Sequence, residues 1–175
     1  MITGEKVFLR PVELEDSRIL SAWLNDRETN KNLDIIYPLS KRYADNFTLE
    51  AEGENKKVFI IDDEQYKPIG LVIIDKIKWE YSHCEVGIAI YKKDKRGQGY
   101  GKDALKTLLD FIFNNMNLNL VYLNVLEENT PAISLYKSLG FLKEGTLRNR
   151  CFRNGKYHNV VSMSLLREEF NESYL

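Results

Sequence analysis

Cysteine is scarce. Cys84 and Cys151 are the only two, they lack the close spacing of a metal-ligand set, and each falls in a segment that reads as a strand. Both are therefore expected as free thiols in a reducing cytoplasm, not as a disulfide. Net charge is nearly absent too: 25 Lys and Arg almost cancel 26 Asp and Glu. No overall field marks the chain as a nucleic-acid or membrane-surface protein, so partner identity rests on local features. No apolar run approaches the roughly 18 residues of a membrane span, and MITGEKVFLRP at the N-terminus carries no apolar signal-peptide core. The expectation is a cytoplasmic protein with no membrane and no nucleic-acid partner. His83 and His158 form no pair and no metal set, so no metal is expected. There is no internal repeat, low-complexity tract or linker, and 175 residues suit one domain spanning 1–175.

Periodicity supplies the elements. Lys6–Pro11 reads as a strand, and Glu15–Asp26 as a helix with Ile19, Leu20, Trp23 and Leu24 on one face. A polar segment follows, after which Ser40 is placed to cap a helix bearing Tyr43, Ala44 and Phe47. Lys57–Asp62 and Ile69–Ile77 are β-branched runs around a Pro/Gly turn, a hairpin signal, and His83–Tyr91 is a further strand. Lys102–Met116 repeats Leu105, Leu108, Leu109, Ile112 and Met116 at helical spacing. Leu120–Leu126 is a strand. Thr130 is placed to cap the next helix with Pro131 in its first position, and Gly140 to end it. Asn154-Gly155 then marks a two-residue hairpin turn between Arg150–Phe152 and Val161–Leu165. This order predicts an α/β fold: a mixed central sheet with helices on both faces, a parallel pair formed by 83–91 and 120–126 through a right-handed crossover, and a C-terminal β-hairpin.

The stretch KKDKRGQGYGKD, residues 92–103, joins a buried strand to a helix N-terminus, where unpaired N–H groups and the positive end of the helix dipole favour an anion. Gly97, Gly99 and Gly101 remove side chains that would block close approach, and Lys93, Lys95, Arg96 and Lys102 add charge suited to phosphate. Glycines alone are equally consistent with a flexible turn. The spacing fits neither a P-loop nor a dinucleotide fingerprint: three residues separate Gly97 from Gly101, and Asp103 follows Lys102 where a P-loop needs Ser or Thr.

Arg96-Gly97-Gln98-Gly99-Tyr100-Gly101 resembles the Arg/Gln-x-x-Gly-x-Gly pyrophosphate loop of the GNAT superfamily of acetyl-CoA-dependent N-acetyltransferases. Glu128-Asn129-Thr130-Pro131-Ala132-Ile133-Ser134-Leu135-Tyr136-Lys137-Ser138-Leu139-Gly140-Phe141 is similar to that family's second motif, at the expected distance downstream. Phe8-Leu9-Arg10-Pro11, Glu144-Gly145 and residues 154–159 look like the branch of ribosomal-protein (RimJ/RimL-like) and spermidine acetyltransferases.

The resemblance implies acetyl-CoA as donor, with its diphosphate on residues 96–102 (Arg96, Gly97, Gln98, Gly99, Tyr100, Gly101 and Lys102) and its pantetheine between the two parallel strands. The central sheet is then splayed there, exposing N–H groups of Ile88, Ala89 and Ile90. Gly87, inside an apolar strand, marks either that opening, through a bulge or close approach, or packing under a bulky neighbour. Tyr136 matches the family's general acid; by pattern alone it is a half-buried core aromatic. Asn129 matches a cofactor contact and equally suits a helix cap. Glu85 is the base candidate, or else an ion-pair partner. The implied acceptor is a protein N-terminus, a polyamine or another small amine. Segment 26–50 would build its pocket, with Asp26, Glu28, Asp34, Asp45 and Glu50 offset by Arg27, Lys31, Lys41 and Arg42, which makes no polycation trap. The non-enzymatic alternative is an acyl-CoA-binding sensor or interaction module. The resemblance implies a homodimer, and the C-terminal hairpin, 148–166, would either complete the sheet of one chain or contribute to that dimer.

Overall fold

A computed structural model describes residues 1–33, 35 and 38–172. Strand alternation and helical periodicity sort its apolar residues onto two faces of one eight-stranded sheet. The strands are β1 (Ile2–Thr3), β2 (Val7–Pro11), β3 (Lys57–Asp63), β4 (Pro68–Lys78), β5 (His83–Ile90), β6 (Leu120–Leu126), β7 (Leu142–Arg153) and β8 (Lys156–Leu166). They lie in the order β1-β2-β3-β4-β5-β6-β8-β7, and only β5 and β6 run parallel. The helices are α1 (Ser17–Leu24), α2 (Arg27–Asn30), α3 (Lys41–Leu49), α4 (Tyr100–Asn114), α5 (Thr130–Ser138) and α6 (Arg167–Glu172). β1, α2 and α6 are too short to leave a periodic signal and were not anticipated. Asp34, assigned to the acceptor segment, lies outside the described residues.

On one face α4 buries Leu105, Leu108, Leu109 and Ile112 completely against Val72, Ile74, Val121 and Met163. Each such side chain contributes about 1.5–3 kcal/mol relative to exposure. On the other face Leu20, Trp23, Leu24 and Phe47 of α1 and α3 cover Val58, Ile60, Leu71 and Ala89. The expected β3–β4 hairpin forms with a bulge: Ile61 pairs with Gly70 and Asp62 with Pro68. The extra residue, Ile69, turns toward the α4 side while Leu71 faces α1, as a bulge requires.

Several boundaries move for local reasons. The helix expected from Glu15 opens as a 3-10 turn, Leu14–Asp16, and α1 ends at Leu24. α4 starts at Tyr100, two residues before the expected Lys102, because Gly99 at φ +90° forms its N-cap. α5 is capped by Asn129, not Thr130: Asn129 Oδ1 accepts from Ala132 N at 3.4 Å, so Pro131 is the second helical residue. Gly140 at φ +95° ends it as anticipated, and Asn154 and Gly155, at φ +50° and +79°, close the C-terminal hairpin with the mirror-image turn that matches strand twist. Ser40 Oγ caps α3 by accepting from Tyr43 N. Cys84 and Cys151 are free thiols. Among the described residues no helix is long and apolar enough to cross a membrane.

Candidate active site

The parallel pair holds for only three residues. β5 pairs with β6 at His83, Cys84 and Glu85 and then parts from it, while its antiparallel register with β4 continues unbroken to Ile90. No bulge occurs at Gly87; the strands diverge instead. Tyr91 N donates to Ile69 O at 2.9 Å, and antiparallel bonding alternates. The N–H of Ala89 is therefore directed at β4, and those of Ile88 and Ile90 at the open edge. Arg96 Nε donating to the Ile90 carbonyl at 2.8 Å agrees with that orientation. Of the three expected donors, two face the opening.

A cavity of about 430 Å³ fills the gap, bounded by β5, β6, the first turn of α4, α5 and residues 28–33. A Cβ added to Gly87 would meet nothing within 4 Å, so Gly87 packs under no neighbour and leaves space on the α1 side of the sheet. Gly97 and Gly99 have φ of +71° and +90°, the left-handed region open to glycine. Gly101 lies inside the first helical turn, where a Cβ would make ordinary contacts with Ile88, Ile90 and Leu135. The N–H groups of Tyr100, Gly101 and Lys102 precede the first α4 bond, Asp103 N to Gly99 O at 3.0 Å, and are free to point at an anion.

Most of the loop's cations are engaged elsewhere. Lys95 pairs with Asp63 at 2.8 Å, Lys93 pairs with Glu28, and Gln98 Nε2 donates to Asp94 O. Arg96 reaches from the Ile90 carbonyl to Thr29 Oγ1, 2.6 Å away. These bonds tie the loop to β3, β5 and α2. Lys6, a residue that carried no sequence signal as a ligand, also reaches the loop: its Nζ donates to Gln98 O at 3.1 Å. Buried Asp103 places it by accepting from the N–H groups of Glu5 at 3.1 Å, Lys6 at 2.7 Å and Val7 at 3.1 Å. An acid in the first turn of a helix is the one hint the sequence held. Lys102 makes no side-chain hydrogen bond or ion pair among the described residues.

Tyr136 lines the cavity from α5, packed on Phe141 with ring centroids 5.8 Å apart. It is only 8% exposed, its hydroxyl has no partner among the described residues, and burial pushes the phenol up to about 12. Asn129 also lines the cavity; its Oδ1 serves the cap, which leaves its Nδ2 to donate. Glu85 is not among the lining residues. Its carboxylate is held by Lys76 Nζ at 2.5 Å and accepts from Asn124 Nδ2 at 3.0 Å. Asn124, on β6, does face the cavity and was missed because nothing in a strand pattern singles it out. Thr29, Lys31, Asn32 and Leu33 bound the side opposite α5. Among the described residues no cluster of His, Cys, Asp and Glu is arranged to hold a metal. The first turn of α4, the parted edge of β5 and the buried phenol of Tyr136 thus border a single cavity.

Residues 6–142 match the acetyltransferase (GNAT) domain family. The chain is 32% identical to an uncharacterized N-acetyltransferase, p20, of Bacillus licheniformis, over 95% of this chain and 96% of that protein. It is 31% identical to a spermidine N(1)-acetyltransferase of Vibrio cholerae over 95% and 96% of the two chains. A crystal structure of spermidine N-acetyltransferase from Vibrio cholerae in complex with CoA and spermine superposes with a TM-score of 0.88 at 28% identity, covering 94% of this chain and 98% of that one.

Proposed function

The chain belongs to the GNAT acetyltransferase family and is an acetyl-CoA-dependent N-acetyltransferase, from which we propose that it acetylates the primary amine of a small molecule by direct attack, with Tyr136 as proton donor. The observation that carries the proposal is the joint presence of the glycine-loop helix terminus, the parted β5 edge and Tyr136 around one cavity.

The cavity suits the donor: a side chain at Gly87 would enter its open space, and the β5 edge offers N–H groups with no strand partner. Acetyl-CoA supplies an activated thioester carbonyl and a thiol leaving group. The first-turn N–H groups of α4, with Lys102 and Lys6, hold the diphosphate. Ile88 and Ile90 orient the pantetheine amides, and an N–H on that edge faces the carbonyl oxygen as it gains charge. Asn129 Nδ2 donates to the same ligand. Tyr136, protonated at neutral pH, gives its proton to the departing sulfur. Base work by Glu85 would pass through a water, since Lys76 and Asn124 hold the carboxylate; Glu85→Gln with an unchanged pH–rate profile removes it. A small-molecule acceptor is supported by the similar Vibrio cholerae structure, which is a complex with CoA and spermine.

Incubation with acetyl-CoA and an amine panel that includes peptide N-termini, read as free thiol, tests the reaction. Thiol release with small amines is expected; CoA binding without release from any amine would make the protein a sensor instead. Lys6→Met is expected to raise the KM for acetyl-CoA about five- to tenfold with kcat nearly unchanged, the loss of one charge-assisted contact; an unchanged KM would take Lys6 out of the site. The outer strand β7 exposes Leu142, Leu147 and Phe152 along a sheet edge, which favours pairing with a second copy. Light scattering should give twice the chain mass, falling to the single mass in Leu147→Lys.

A further inference from the structure

Among the described residues, the carboxylates in and around the acetyl-transfer cavity already have partners, while two cations beside it have none. Glu28 pairs with Lys93. Glu85, behind Asn124, pairs with Lys76. Glu128 meets His158 Nδ1 at 2.7 Å, and Glu127 accepts from Asn159 Nδ2 at 2.9 Å. The side chains of Arg27 and Lys31, by contrast, are exposed and make no hydrogen bond or ion pair among the described residues.

Those two cations sit at a second opening. A larger cavity, about 710 Å³, lies on the other side of α2 between Arg27, Asn30, Lys31 and the C-terminal hairpin tip at Phe152, Arg153 and Asn154. Arg153 Nη1 donates to the Lys31 carbonyl at 2.8 Å and fixes the tip to α2. Lys31 lines both cavities, so an acceptor with its amine beside Gly87 extends past Lys31 toward Arg27. Among the described residues lining this larger cavity there is no Asp or Glu. A polyamine reaching it would surrender the water around a second ammonium with no unpaired carboxylate among the described residues to replace it, and would face like charge besides. An anionic tail reverses both terms.

We infer that, within the N-acetyltransferase reaction proposed above, the acceptor is a primary amine whose far end carries a carboxylate or phosphate, seated against Lys31 and Arg27, and not a polyamine. Relatives that act on spermidine share about a third of their residues with this chain, which leaves the charges of an acceptor pocket free to differ.

The test compares pentylamine, 5-aminopentanoate, phosphoethanolamine and spermidine, by thiol release from acetyl-CoA and by calorimetric binding to the CoA-loaded protein. At low salt, 5-aminopentanoate or phosphoethanolamine should exceed both pentylamine and spermidine at least tenfold in kcat/KM and in affinity. Which of the two leads tells carboxylate from phosphate. The advantage should shrink in about 0.5 M NaCl, where charges are screened within a few ångströms. Arg27→Glu with Lys31→Glu should invert the order in favour of spermidine; both positions are exposed, so the fold is retained. Spermidine leading in the native protein, or an order indifferent to charge reversal, overturns the inference. Absence of thiol release from every amine would refute the reaction instead, and the calorimetric order would still decide the charge of the tail.

Discussion

Tyr136→Phe lowers kcat at least tenfold and leaves the KM for acetyl-CoA within about twofold, a loss of some 1.4 kcal/mol or more in transition-state stabilisation. The substitution removes one oxygen and little else. The ring keeps its contact with Phe141, and because the hydroxyl has no partner among the described residues, no buried group is orphaned. Stability should therefore change by less than about 0.5 kcal/mol. Burial is what makes the phenol a persistent acid: it pushes the group up to about 12, so the neutral form dominates at every lower pH. The rate should climb as the acceptor amine loses its proton, with no alkaline decline due to Tyr136 below roughly pH 10. An unchanged kcat in the Phe variant, measured by stopped-time thiol release, would remove Tyr136 from the chemistry.

Two glycines in neighbouring strands should fail in opposite ways. Gly87→Val places a side chain where nothing lies within 4 Å, in a strand interior where glycine costs roughly 0.5–1 kcal/mol relative to Ala. Its melting temperature should hold or rise while kcat/KM falls at least tenfold, because the added methyls occupy the gap that the substrates require. Gly70→Ala does the reverse. Its Cβ would lie 2.3 Å from the Ala89 carbonyl oxygen, a clash with backbone that only separation of β4 from β5 relieves. About 3 kcal/mol of stability should be lost, or roughly 6–12 °C in Tm for a chain of this length. Thermal denaturation beside the thiol assay separates the two cases. A Gly87 variant that melts early but turns over normally would reverse the assignment of that residue.

The same contrast measures how far the sequence could be read. Local chemistry was legible: α4 declares its buried face by Leu105, Leu108, Leu109 and Ile112, Asn154-Gly155 names its own turn, and the crossover 83–126 forces a parallel pair. Such signals depend on residues within a few positions of one another. The glycine loop read locally as either a turn or an anion site, and Gly97 and Gly99 do adopt the positive φ that glycine permits.

Which charges remain available at that site was not a local matter. Lys93, Lys95 and Arg96 all looked like phosphate ligands by spacing, yet Glu28, Asp63 and Thr29, each brought in from a distant segment, engage them. Lys6 enters only because Asp103 gathers three backbone N–H groups from the start of β2. Glu85 read as either a base or an ion-pair partner, and packing sets Lys76 and Asn124 against its carboxylate. The residues alone determined the long elements, their order and the parallel pair of 83–91 with 120–126, and the family resemblance pointed to the opening between them; three-dimensional packing determined which side chains face that opening, since a charge is satisfied by whatever lies within a few ångströms and not by its neighbours along the chain.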